Sequence, residues 1–157
     1  MYFKTNKHIT MKKRIVTLCL LLFGALIGLQ SCDDEKNITF DKLPQTARQF
    51  IGNYFPDQTV NRTRQEKDNG IVSYEVRLTD GTEIDFNAAG EWQHIDRPFG
   101  IIPDEIVPQA ILNDLAGRYP EARVHEIEKE LGGYEIGIGN GLELYYTTEG
   151  VFIREER

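Results

Sequence analysis

The chain has 157 residues, with 18 Lys+Arg against 25 Asp+Glu, a formal charge of −7 and only two cysteines. That length provides for one domain with a proper core. The acidic balance argues against nucleic-acid binding and against adsorption to anionic lipid, both of which need a cationic surface.

Met11 opens "MKKRIVTLCLLLFGALIGLQSC", in which Lys12, Lys13 and Arg14 precede an apolar run from Ile15 to Leu29. At the helical rise of about 1.5 Å per residue that run reaches about 22 Å, short of a hydrocarbon core about 30 Å thick. A basic start, a short apolar run and a small residue before the cut predict a signal peptide over residues 1–31, with Met11 as an alternative start. Leu29-Gln30-Ser31-Cys32 resembles a bacterial lipobox, which makes Cys32 the expected lipidation site. The alternative is an ordinary signal peptide followed by a coincidental cysteine. Two or three acyl chains, at about 0.8 kcal/mol per buried CH₂, make a firm anchor, and that lipid is the only membrane contact expected. Residues 32–40 then read as a lipidated cysteine and an acidic tether. The tether's "DDEKN" is similar to the tag of Gram-negative lipoproteins on the outer face of the outer membrane; the alternative location is the periplasm.

Loss of residues 1–31 removes Lys4, Lys7, Lys12, Lys13 and Arg14 and no acidic residue, which leaves 13 basic against 25 acidic residues and a formal charge of −12. With Cys19 discarded and Cys32 acylated, no thiol or disulfide remains, and the fold stands on its core alone. The charge favours a basic partner or a cation; plain solubility is the bland alternative.

Residues 41–157 read as one domain of two repeats, 41–98 and 99–157. Leu43-Pro44-Gln45 matches Val107-Pro108-Gln109, and Phe55-Pro56 matches Tyr119-Pro120. Further on, Tyr74-Glu75-Val76 matches Tyr134-Glu135-Ile136, and Gly81, Glu83, Phe86, Gly90 and Trp92 match Gly141, Glu143, Tyr146, Gly150 and Phe152. Glycines, prolines and apolar positions recurring together indicate an internal duplication.

Each repeat opens with a helical stripe. Leu43, Ala47, Phe50, Ile51 and Tyr54 form the first and Val107, Ile111, Leu115 and Tyr119 the second, with prolines in the first turn and after the last. Four strands follow, beginning near Val60–Glu66 and Val124–Glu130. Val76, Leu78, Ile84 and Phe86 alternate with polar neighbours at period two. A two-residue turn at Asp80-Gly81 would set Leu78 opposite Glu83 and mix the faces. A three-residue loop, Thr79 to Gly81, pairs Val76 with Ile84 and puts Gly81 and Gly141 at positive φ. Trp92 is expected in the core opposite Phe86.

Helix, "FP" or "YP", then "YEV…DG.E..F...G.W" twice over resembles the PepSY-like, β-lactamase-inhibitor-like proteins of secreted and lipid-anchored bacterial origin, across about residues 40–157. The resemblance implies an α+β fold: a tandem αββββ duplication with two helices packed on one face of an antiparallel sheet of about eight strands. It also implies action by binding, through the open face.

The residues carry no catalytic set. The expected mature chain has one serine, Ser73, and two histidines, His94 and His125, which occupy non-equivalent repeat positions and no metal-ligand spacing. No enzyme activity, metal or cofactor is expected. With apolar residues facing the helices, Glu75, Arg77, Glu83, Asp85, Glu135, Glu143 and Tyr145 form the candidate binding face. Glu75/Glu135 and Glu83/Glu143 recur, which suits a surface role shared by both repeats. The expectation is a non-catalytic envelope lipoprotein that binds a protein or peptide partner, basic by charge. The alternative is a structural, sensor or cation-binding lipoprotein without a protein target.

Overall fold

The structure, a computed structural model, describes residues 35–139 and 141–157. The expected signal peptide, the expected lipidation site Cys32 and the start of the expected tether lie outside them. Among the described residues no helix is long and apolar enough to cross a membrane.

The two apolar stripes form helices α1, Gln45–Tyr54, and α2, Gln109–Arg118. Pro44 and Pro108 stand at their N-caps rather than inside the first turn, with extended ψ of 144° and 133°. Proline brings no N–H that would need a partner there. Each helix buries two residues of its stripe, Ala47 and Ile51 in α1 and Ile111 and Leu115 in α2. Gly52 and Gly117 sit on exposed sides, where an added Cβ would meet nothing within 4 Å. Gly52→Ala and Gly117→Ala are therefore expected to stabilise by about 0.5–1 kcal/mol each, a rise of about 2–4 °C in a thermal melt.

Among the described residues, nine antiparallel strands lie side by side in chain order. They are β1 Lys36–Asn37, β2 Val60–Asp68, β3 Ile71–Leu78, β4 Glu83–Asn87, β5 Trp92–Asp96, β6 Val124–Glu130, β7 Gly133–Ile138, β8 Leu142–Thr147 and β9 Phe152–Glu156. The strand count corrects the expected eight. Lys36 and Asn37, assigned to the tether, pair with Gln65 and Arg64 on β2. Two polar residues show no alternation, so nothing in their pattern announces a strand. The order α1-β2-β3-β4-β5 recurs as α2-β6-β7-β8-β9.

The hairpin loops follow the parity argument. Leu78 N–H donates to the Thr82 carbonyl at 2.8 Å, Val76 pairs with Ile84, and Gly81 takes φ 89°. Ile138 pairs with Leu142, and Gly141 takes φ 67°. Register then aligns the apolar residues laterally: Val76, Ile84, Ile95, Ile127, Ile136 and Leu144 oppose one another strand by strand, and all are fully buried. At about 1.5–3 kcal/mol per buried aliphatic side chain, this row holds the two halves in one sheet.

Both helices cover that face. Phe50 of α1 meets Phe86 edge-on at 5.9 Å between ring centres, and Tyr146 donates from its hydroxyl to Asp114 of α2 at 3.0 Å. Trp92 pairs with Phe86 as expected; it is half-buried, 6.4 Å from Phe50, with the Lys129 ammonium 4.0 Å over its ring.

Four β-bulges interrupt the ladders, after Val60, Val124, Trp92 and Phe152. Each inserts one residue and so reverses which face the following side chains occupy. The 3₁₀ turns at Phe40–Lys42 and Asp104–Ile106 precede the helices. Between β5 and the second turn, the linker buries Ile102 completely and leaves Phe99 87% exposed.

Candidate functional site

The helix-free face of the sheet carries two transverse rows of polar side chains. Register aligns Arg64, Glu75, Asp85, His94, Glu128, Glu135, Tyr145 and Arg154 in one row. The other runs Arg62, Arg77, Glu83, Asp96, Glu126, Gly137, Glu143 and Glu156. Glu75, Arg77, Glu83, Asp85, Glu135, Glu143 and Tyr145 therefore lie on one face, and alternate between these two rows. Rows sit two residues apart along each strand, and neighbours within a row stand about 4.8 Å apart.

The two halves of the face differ in charge pairing, which revises the picture of a role shared equally by both repeats. In the first half Arg62 holds Glu75 at 2.9 Å, Arg64 holds Glu35 at 2.6 Å, and Arg77 pairs with Glu83. At the corresponding positions the second half has Glu126, Glu128 and Gly137. Among the described residues no cation pairs with Glu128, Glu130, Glu135 or Glu143. Tyr145 donates to Glu143 at 3.3 Å, and the Arg154 guanidinium stacks 3.7 Å from the centre of its ring.

Burial and mutual repulsion raise the proton affinity of this half. Partial burial lifts the Glu128 and Glu135 carboxyls above the usual carboxylate range, and the charge on Glu143 adds to the effect at Glu135. Burial also lifts Asp96, with Glu126 beside it. The Tyr145 phenol is pushed up to about 12 by burial and then by Glu135 and Glu143. Three carboxylates, Glu128, Glu130 and Glu135, bring oxygens within 4.8 Å of one another. Hard cations take oxygen ligands of this type, calcium needing six to eight.

His94 occupies the centre of the face and is absent from the predicted set. Its Nε2 lies 2.9 Å from Glu126 and its Nδ1 3.4 Å from Asp85. Hydrogen bonds to Asp85 and then to Glu126 outweigh burial and raise the imidazole to about 10, so it is a cation at neutral pH. The sequence reading missed His94, Asp96, Glu126 and Glu128 because bulges precede them. Trp92 and Ile95, like Val124 and Ile127, are inward residues three apart, which breaks the period of two. The usable signal was that each such spacing demands an extra residue. His125, the other histidine among the described residues, bonds the Gly100 carbonyl through Nδ1 and serves the linker.

Residues 72–154, from β3 into β9, match the protein family described as "Putative beta-lactamase-inhibitor-like, PepSY-like". Three solved structures cover nearly their whole length with this chain. One, a "putative periplasmic protein" of the DUF2874 family from Bacteroides vulgatus, is 33% identical with a TM-score of 0.76, over 80% of this chain and 99% of that one. A second from Bacteroides vulgatus, described as of unknown function, is 34% identical with a TM-score of 0.76, over 79% and 100%. The third, a "putative calcium-regulated periplasmic protein" from Bacteroides thetaiotaomicron, is 32% identical with a TM-score of 0.75, over 78% and 97%. No curated protein matches this chain. With the match running through both halves of the sheet, the chain belongs to the PepSY-like, β-lactamase-inhibitor-like family.

Proposed function

We propose that this is a non-catalytic lipoprotein of the Gram-negative envelope, built by tandem duplication of an αββββ unit, which binds a basic protein or peptide segment on its helix-free face. The observation that carries this reading is the carboxylate surface of the second half, Glu128, Glu130, Glu135 and Glu143, which no cation among the described residues pairs with, beside a first half in which arginines hold Glu75 and Glu83. Carboxylates that are half-buried and crowded are costly to keep ionised, and a bound cation relieves that cost. Tyr145 supplies an aromatic surface beside them, already used by one guanidinium. The lipid on Cys32 holds the domain at the outer membrane, and the periplasmic relatives support an envelope address.

Binding and stability oppose each other on this face. Glu128→Gln and Glu135→Gln are expected to weaken binding of a Lys/Arg-rich peptide at least tenfold by calorimetric titration. The same changes should raise folding stability at pH 7 by a few tenths of a kcal/mol after solvent screening. Glu83→Gln, which breaks an internal pair, should leave affinity within about twofold. Equal losses from Glu83→Gln and Glu135→Gln would sink the assignment to the second half.

A second reading has its own support. The Glu128, Glu130 and Glu135 oxygens converge, and the Bacteroides thetaiotaomicron relative is described as calcium-regulated. On this reading the site takes a divalent cation, with water completing its shell. A thermal shift in millimolar calcium, lost in Glu130→Gln, supports it; an unchanged melting temperature removes it.

A further inference from the structure

We propose that the end of the sheet carrying the β2–β3 and β6–β7 turns rests on a lipid surface, with Ile71 and Leu131 entering its headgroup layer. This rests on the proposed lipidation of Cys32 and adds the orientation in which that anchor holds the domain. Neighbouring strands are antiparallel and follow chain order, so the β2–β3, β4–β5, β6–β7 and β8–β9 turns share one end. At that end Ile71 is 71% exposed and Leu131 105%, and Val151 is exposed as well. Ile71 and Leu131 precede the matched Tyr74 and Tyr134 by three residues each, so both halves put an aliphatic side chain at the same tip. Beside them Gly70 and Gly132 take φ of 85° and 95°, and a Cβ added at either would meet nothing within 4 Å. The two tips stand clear of the rest of the domain. A lone exposed aliphatic residue is ordinary; here the same placement occurs twice, at the end to which the tether leads.

Strand β1 sets that direction. Lys36 lies opposite Gln65 and Asn37 opposite Arg64, antiparallel to β2, so the chain before Lys36 heads toward the β2–β3 turn. Glu35 continues the course: Arg64 holds it at 2.6 Å, and its charge is felt at Glu66. Cys32 comes four residues before Lys36, and Asn69, in the turn, four after Gln65. Four residues reach at most about 14 Å, which matches the distance from Gln65 to the tip at the usual strand rise. The opposite end also has exposed apolar side chains, Phe99 and Ile101. It lies out of reach. Val60 is five residues back from Gln65, about 17 Å at the strand rise, and the β3–β4 turn that Phe99 touches lies beyond Val60.

Charge selects the kind of surface. At these turns Asp68, Glu91, Glu130 and Glu149 outnumber Lys67 and Lys129, which fits zwitterionic headgroups and disfavours anionic ones. With this end down, the strands run toward the membrane and the carboxylate face opens sideways, free for a partner.

Residues 32–157 hold one thiol, Cys32, which a maleimide-bearing phospholipid can fix to a phosphatidylcholine nanodisc. The three solved relatives are covered by this chain over 99%, 100% and 97% of their own length, so a domain of this extent folds by itself. Amide relaxation caused by gadolinium-bearing lipid in the disc then reads which end lies down. The amides of residues 69–71 and 131–133 are expected to relax severalfold faster than those of residues 80–81 and 99–100. Ile71→Ser combined with Leu131→Ser, both at exposed sites, should leave the melting temperature unchanged and remove most of that difference. Phosphatidylglycerol in the disc should reduce it too. Equal relaxation at the two ends, faster relaxation at Phe99, or a pattern indifferent to the serine pair overturns the proposal. Acylation is read separately, as a diacylglyceryl mass on the native peptide that begins at Cys32. Its absence would sink the anchor and the orientation with it, whereas a failed orientation leaves the anchor standing.

Discussion

Valine at Gly90 or Gly150 is expected to cost about 3–4 kcal/mol, since left-handed backbone and overpacking each penalise it by about 1–3 kcal/mol. Gly90 has φ 80°, and its Cβ would lie 2.6 Å from the Pro44 Cβ and 3.0 Å from the Ala47 amide nitrogen. Gly150 has φ 79°, and its Cβ would lie 2.6 Å from the Ala110 Cβ. In both halves the turn before the last strand packs directly on the N-terminal turn of the helix. Against a domain stability of about 5–15 kcal/mol, a loss of that size lowers the melting temperature by about 10–15 °C. Gly132→Ala separates the two causes. Gly132 has φ 95° but nothing within 4 Å of its Cβ, so it should lose only about 1 kcal/mol. Equal losses at Gly90 and Gly132 by chemical denaturation would show that helix contact contributes nothing.

Replacing His94 by glutamine removes the cation at the centre of the carboxylate face and is expected to cost about 2–4 kcal/mol near pH 6. The side chain is 24% exposed, enough for water to take part of the effect. The expected pH profile is specific. His94 is raised from the free value of 6.5 to about 10 by its hydrogen bonds to Asp85 and Glu126. Protonation therefore stabilises the fold fully below about pH 6.5, and the gain fades as pH climbs through about 10. The difference between wild type and His94→Gln should be largest at pH 6 and nearly gone at pH 10, measured by urea unfolding at each pH. A difference that stays constant over that range would mean that His94 only fills space. Asp96, Glu128 and Glu135 tilt stability with pH in the same direction. Their carboxyls are raised by burial, so they favour the fold as pH falls toward their folded-state values.

Much of the fold is readable in the residues themselves. The stripe of Leu43, Ala47, Phe50 and Ile51, the alternation of Val76 to Phe86, and the glycines at 81 and 141 each act through neighbours within four positions, so helix, strand and turn follow from local chemistry. The strand of Lys36 and Asn37 was not readable, because its only reason to be extended is the edge of β2. The candidate site was readable in part. Glu75, Arg77, Glu83 and Asp85 precede the first-half bulge in β5, and Glu135, Glu143 and Tyr145 lie on strands that have none before them. His94, Asp96, Glu126 and Glu128 follow bulges, where a single inserted residue reverses the face.

What the sequence determined by itself is the class of each segment, the parity of the hairpins and the acidic sign of the surface, because periodicity, turn chemistry and composition are properties of near neighbours in the chain. What only the tertiary structure decided is which charges meet. Glu75 and Glu135 sit in near-identical local sequences, yet one is held beside Arg62 and the other stands beside Glu128 and Tyr145. Those neighbours are set by cross-strand register between segments far apart in the chain, and there the two halves acquire different chemistry.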